Sequence, residues 1–143
     1  MILVSACLVG LNSKYNGKNN YNELIYDLVR NGKAIPLCPE QLGGLSTPRV
    51  PAEIKYINGE RCVYDKEGKN ITYEFEKGAK EVLDFVKKMN IKKAILQSKS
   101  PSCGVGKIYD GTFNGKLIDG NGILTSLLIE NGIEVIDIKD FKG

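Results

Sequence analysis

The stretch Ile2-Leu3-Val4-Ser5-Ala6 decides the fold. It is a near-continuous apolar run with no polar–apolar alternation, the pattern of a strand buried on both faces. A strand of that kind needs helices above and below it, and the sequence supplies them. Residues Tyr21 to Asn31 place Leu24, Ile25, Leu28 and Val29 on one helical face, and Gly32 follows as a C-terminal cap. A second strand is expected over Ala34–Leu37. The strongest helix begins near Thr72 as its N-cap, with Phe75, Ala79, Val82, Leu83 and Val86 as a core-facing stripe and Lys87 and Lys88 in the last turn. Strand Ala94–Gln97, helix 123–131 closed by Gly132, and strand Ile133–Ile138 complete the series. This alternation predicts an α/β, three-layer, Rossmann-like fold with a mainly parallel sheet and helices on both faces. Residues Pro39–Pro51, with three prolines and no periodicity, read as a loop, as do the glycine-rich residues 104–122. Residues 56–71 read as two short extended pieces with turns at Asn58-Gly59 and at Lys66-Glu67-Gly68.

The chain has 143 residues, which suits one domain over residues 1–143. Its 42% hydrophobic and 26% charged residues are a globular balance. The net charge of +3 is too small to argue for nucleic acid or an acidic membrane, and nucleic acid is not expected as a partner. No histidine is present, which excludes a Ser-His-Asp triad, an imidazole base and a histidine-bearing zinc site. The N-terminal apolar run lacks a basic flank, and nothing approaches the ~20 apolar residues of a membrane span, so a cytoplasmic location and no membrane partner are expected. The densest basic cluster, Lys87, Lys88, Lys92 and Lys93, reads as a solvated helix end.

The four cysteines, Cys7, Cys38, Cys62 and Cys103, contain no C-x-x-C pair. Without an export signal they read as ligands, catalysts or core residues. Cys7 follows the first strand, Cys38 the second, and Cys103 lies just past strand 94–97. In a parallel sheet all three sit at the carboxyl edge, where open α/β sheets bind ligands. A free cysteine is also among the commonest buried residues, but Gly10, Pro39, Pro101 and Gly104 beside these three suit an exposed site. Cys62, between Arg61 and Val63, reads as strand packing. Structural zinc takes four protein ligands, whereas iron–sulfur clusters favour thiolates, and a cubane held by three leaves one iron open.

The segments SACLVG (Ser5–Gly10), CPEQLGGL (Cys38–Leu45) with Pro48-Arg49, SPSCG (Ser100–Gly104) and IYDGTFNG (Ile108–Gly115) occur in that order. Together they resemble a family of small bacterial and archaeal proteins long known only as a domain of unknown function, whose biochemically understood branch is the thiouracil desulfurases. The resemblance implies a 4Fe–4S cluster, a cofactor easily lost in air, on Cys7, Cys38 and Cys103, loaded by cluster-assembly machinery. It also implies a redox-neutral desulfuration of a small thiolated nucleobase such as 2-thiouracil. The substrate sulfur would bind the open iron and leave as hydrosulfide.

Read for such chemistry, Glu40, two residues after Cys38, is the best-placed base for water. Ser102 is a candidate catalytic donor. Ser100 and the backbone of Gly44 are candidates for binding substrate. Arg49 is a candidate for holding an anionic substrate or the Glu40 carboxylate, and Asp110 for covering the site. Capping and turn roles are the competing account for Glu40, Gly44, Asp110 and both serines. The alternative for the whole chain is a non-catalytic iron–sulfur or persulfide sulfur carrier.

Overall fold

The computed structural model describes residues 1–143. In chain order its elements are β1 (Ile2–Ser5), α1 (Glu23–Arg30), β2 (Ala34–Leu37), the one-turn α2 (Pro39–Leu42), β3 (Ala52–Ile57) and β4 (Glu60–Asp65). There follow α3 (Thr72–Lys88), β5 (Lys93–Leu96), β6 (Lys107–Tyr109), β7 (Leu117–Asp119), α4 (Ile123–Glu130) and β8 (Glu134–Asp137). Four of the strands form a wholly parallel sheet in the order β2-β1-β5-β8. The fold is therefore mixed α/β, with the expected parallel sheet flanked by helices.

Side-chain alternation along the central strands divides the core in two. Leu3, Ala94 and Leu96 pack with Phe75, Ala79, Val82 and Val86 of α3 and with Leu124 and Leu128 of α4. Val4 and Ile95 point to the opposite face, against Ile25 of α1. Within α1 the expected apolar face is narrower than its sequence suggests, because Ile25 is fully buried while Leu24 is exposed.

Several expectations change. Thr72 is not the N-cap of α3 but its first residue. Its hydroxyl accepts from Val63 N at 2.9 Å and donates to Asn70 Oδ1 at 2.6 Å, tying the helix start to β4. Residues 104–122 are not one loop, since β6 and β7 pair antiparallel and bury Ile108. The two extended pieces read at 56–71 are present with both expected turns, but the first begins earlier, at Ala52, and the two pair as the β3–β4 hairpin.

Pro39–Pro51 is not all loop either. Proline opens α2 as its first residue, where no backbone donor is needed. The turn is held in place by a close backbone crossing with α3. A Cβ on Gly43 would fall on the Glu74 carbonyl, and one on Gly78 on the Pro39 carbonyl. Cys38 is the residue that caps α2, so this crossing sets where its sulfur lies. Alanine normally improves a helix interior over glycine by up to ~1 kcal/mol. Here Gly78→Ala is expected to destabilise the chain by about 1–3 kcal/mol, the range for overpacking. Urea unfolding of the two proteins checks the sign, and a gain in stability would contradict the crossing.

Candidate functional site

The chain pairs β1 first with β2 and then, on its other side, with β5. That reversal makes the carboxyl ends of β1 and β5 a topological switch point, the place where α/β sheets open a crevice. A cavity of about 690 Å³ lies there. Cys7 enters it from the 3-10 turn Ala6–Val9 directly after β1, Cys38 from the residue after β2, and Cys103 from the turn after β5. Cys62 lies on β4 outside it.

Each of the three thiols has a polar contact. Ser5 Oγ donates to Cys103 Sγ at 3.3 Å, joining residues 98 positions apart, and itself accepts from Gln97 N at 3.0 Å. Asn20 Nδ2 donates to Cys7 Sγ at 3.6 Å, and Cys38 Sγ donates to Ser13 O at 3.8 Å. Burial nevertheless dominates their titration. It pushes Cys7 up to about 11 against the pull of Asn20, and the nearby Glu40 adds to the rise. Burial also raises Cys38, again with Glu40, while the Gln41 and Glu40 backbone N–H groups and Arg49 act the other way. Cys103 is raised well above the usual thiol range by burial, with Glu40 second. The chain by itself therefore holds three neutral thiols at pH 7.

Glu40 and Arg49 form an ion pair at 3.0 Å, with side chains only 14% and 11% exposed. The guanidinium also donates to Ser13 O at 3.0 Å, Thr47 Oγ1 at 3.0 Å and Ser46 O at 3.3 Å. Of the two roles expected for Arg49, the structure shows the contact with Glu40, and three further donors, on Nη1 and Nη2, are committed to the protein. Glu40 Oε2 is thus occupied, while its buried Oε1 has no hydrogen-bond partner.

Ser100 lines the cavity, and its Oγ accepts from Ser102 N at 3.0 Å and Cys103 N at 3.1 Å. With its lone pairs so used, its hydroxyl proton is free to be donated. Three expected residues are not at the cavity. Ser102 is 1% exposed and lies under the start of α4, where its carbonyl accepts from Leu124 N at 3.0 Å. Gly44 donates its N–H to Gln41 O at 3.0 Å to close the turn after α2, leaving no donor for a ligand. Asp110 is spent on Thr112, accepting from its N at 2.9 Å and its Oγ1 at 2.6 Å.

The cavity also includes Ser5, Ser13, Asn20, Ser98, Lys99 and Phe113, which sequence reasoning did not single out. Only Ser5 carried a signal, as the one polar residue inside the first apolar run.

The donor set fits an iron–sulfur cluster. No group of three Cys, Asp or Glu side chains converges tightly enough to hold a single metal ion. Three soft thiol donors nonetheless share one cavity, and a polynuclear centre bridged by inorganic sulfide spans wider gaps than one ion. Binding such a centre displaces the three thiol protons. No helix is long and apolar enough to cross a membrane.

A family model described as 2-thiouracil desulfurase matches residues 2–140. The uncharacterized protein YbbK of Bacillus subtilis (strain 168) is 44% identical over 142 residues, covering 95% of this chain and 94% of the relative. The solved structure of the 4Fe–4S-dependent thiouracil desulfidase TudS superposes with a TM-score of 0.90 at 39% identity. That match covers 98% of this chain and 91% of the other.

Two measurements test the electrostatics. In the metal-free chain, alkylation of Cys7 should rise nearly tenfold per pH unit and level off only near pH 11, whereas an ordinary cysteine levels off near pH ~8.5. Levelling below about pH 9 would contradict its burial. Arg49→Met should cost on the order of 3 kcal/mol in urea unfolding because it leaves a buried carboxylate unpaired. Adding Glu40→Gln should recover part of that loss, and a single variant with the wild-type midpoint would deny the pair this role.

Proposed function

The chain belongs to the 2-thiouracil desulfurase family, and on that premise we propose that it removes sulfur from a thiolated nucleobase such as 2-thiouracil, releasing hydrosulfide without net oxidation or reduction. The observation that carries this reading is the meeting of Cys7, Cys38 and Cys103 in one cavity with Glu40.

Cys7, Cys38 and Cys103 would hold a 4Fe–4S cluster. When bound, a cluster with three cysteine ligands supplies an open iron, a Lewis acid that draws electron density from a thiocarbonyl sulfur. Two of the three thiols already receive a hydrogen bond, from Asn20 and Ser5, contacts that orient and tune ligand sulfurs. Residues 1–143 act as one desulfurase domain on this reading, with the cluster supplied by assembly machinery and the substrate a free small molecule.

Replacing sulfur by oxygen at the ring carbon needs a base for the attacking water and a donor for the departing group. Glu40 suits the first task. Arg49 grips its Oε2 and leaves Oε1 to accept the water proton. Ser100 suits the second, because the two backbone N–H groups on its oxygen direct its own proton elsewhere. The new C–O bond replaces the C–S bond, sulfur leaves as hydrosulfide, and no electron donor is consumed.

Anaerobically purified protein should contain about four irons and four acid-labile sulfides per chain and release hydrosulfide from 2-thiouracil without a reductant. Cys7→Ser, Cys38→Ser and Cys103→Ser should each lose cluster and turnover, while Cys62→Ser keeps both. Glu40→Gln should retain the cluster and lose about 10²–10⁴-fold in rate. Dependence of the cluster on Cys62 would favour a four-ligand carrier, and iron-free protein after reconstitution would end the cluster reading.

A further inference from the structure

Four residues other than glycine have left-handed backbone: Asn58, Asn90, Lys99 and Phe113. The two asparagines sit in the turns after β3 and α3, and asparagine enters this region readily because its side chain bonds locally. Lysine and phenylalanine do not, and both line the cavity. Such conformations persist only where the surroundings over-determine them, and they concentrate at ligand sites.

For Phe113, at φ 58°, the surroundings are specific. It lies in the loop between β6 and β7. On β3, Glu53 Oε1 accepts from Gly111 N at 3.0 Å and from Phe113 N at 3.1 Å. Gly111 presses on the same strand so closely that a Cβ would stand 2.7 Å from the Ile54 carbonyl. Asp110 N donates to Lys116 O at 2.9 Å and closes the base of the loop. One carboxylate, one backbone approach and one turn thus hold a half-buried aromatic residue at the cavity in a conformation it would not adopt alone. Tyr15 and Tyr109 also line the cavity but keep ordinary backbone conformations.

Resting on the desulfurase reading, we propose that Phe113 is the surface on which the heteroaromatic ring of the substrate stacks, and that Glu53 is the residue that positions it. A planar ring loses little by leaving water for an aromatic face and gains orientation from it. Orientation matters here because sulfur must approach the cysteine-lined end of the cavity while the ring carbon stays open to water.

The test uses cluster-loaded protein and 2-thiouracil, with two readouts: steady-state turnover and, with Glu40→Gln added so that the base is not consumed during the measurement, the loss of near-UV absorbance that a thiolated base shows when it stacks. Phe113→Leu keeps apolar bulk without a π-face. It should raise KM about 5- to 100-fold, lower kcat to a smaller extent as the ring loses its orientation, and abolish the absorbance change. Phe113→Tyr and Phe113→Trp should keep both close to wild type. Glu53→Ala should behave like Phe113→Leu, and Glu53→Gln, whose amide oxygen still accepts, should restore binding. All variants should retain the cluster absorption.

Equal KM values for Phe113→Leu and Phe113→Tyr would overturn the stacking role while leaving desulfuration intact. Glu53→Ala binding as wild type would overturn the positioning role. Loaded wild-type protein that releases no hydrosulfide would overturn the desulfurase reading, and this inference with it.

Discussion

Parallel pairing on both sides of β1 is the constraint from which the site follows. Strands that run the same way end at the same edge, so the turns after β1, β2 and β5 open onto one cavity. Because the chain reverses direction across β1, helices leave that edge on opposite faces and keep the crevice open. Had any one of the three strands run antiparallel, its cysteine would lie at the far end of the sheet.

On this scaffold, finer placement comes from contacts that crowd backbone against backbone or bridge distant loops. The crossing at Gly43 and Gly78 seats α2 and with it Cys38 and Glu40. Arg49 joins the loops around Ser13 and Ser46 to the Glu40 carboxylate. The Ser5–Cys103 contact ties the ends of β1 and β5. The first is steric, and the other two are polar groups satisfied in a partly dehydrated place, where an unmade bond is costly. The cavity walls are therefore held firmly around three thiols that burial keeps protonated.

How much of this was legible in the sequence differs by element. The sheet strands and α3 announce themselves because their burial is dictated by their own apolar pattern; Phe75, Ala79, Val82, Leu83 and Val86 are all buried as their spacing requires. The turn α2 and the β6–β7 hairpin do not, since one depends on a glycine pair 35 residues apart and the other on pairing around the single buried Ile108. The convergence of the cysteines is readable because strand ends are. The side to which Ser102 or Asp110 turns is not, because a turn motif gives proximity in sequence without direction. Arg49 illustrates the same limit: its neighbours show that it is near the site, but only the fold shows that four protein acceptors occupy it. Ser5 was the missed clue, a hydroxyl in a strand otherwise free of polar groups.

The strand order carries a consequence for how the chain comes to be folded. β1, the first of the four sheet strands in chain order, is an interior strand of the finished sheet, and its partner β5 begins only at Lys93. During synthesis β1 can pair with β2 early, but its other edge stays open until most of the chain has emerged. An apolar strand with an unpaired edge is a template for pairing with another chain. The nascent protein thus passes through a stage in which the same stretch that organises the final structure is its chief hazard for aggregation, and the stage ends only when β5 closes that edge.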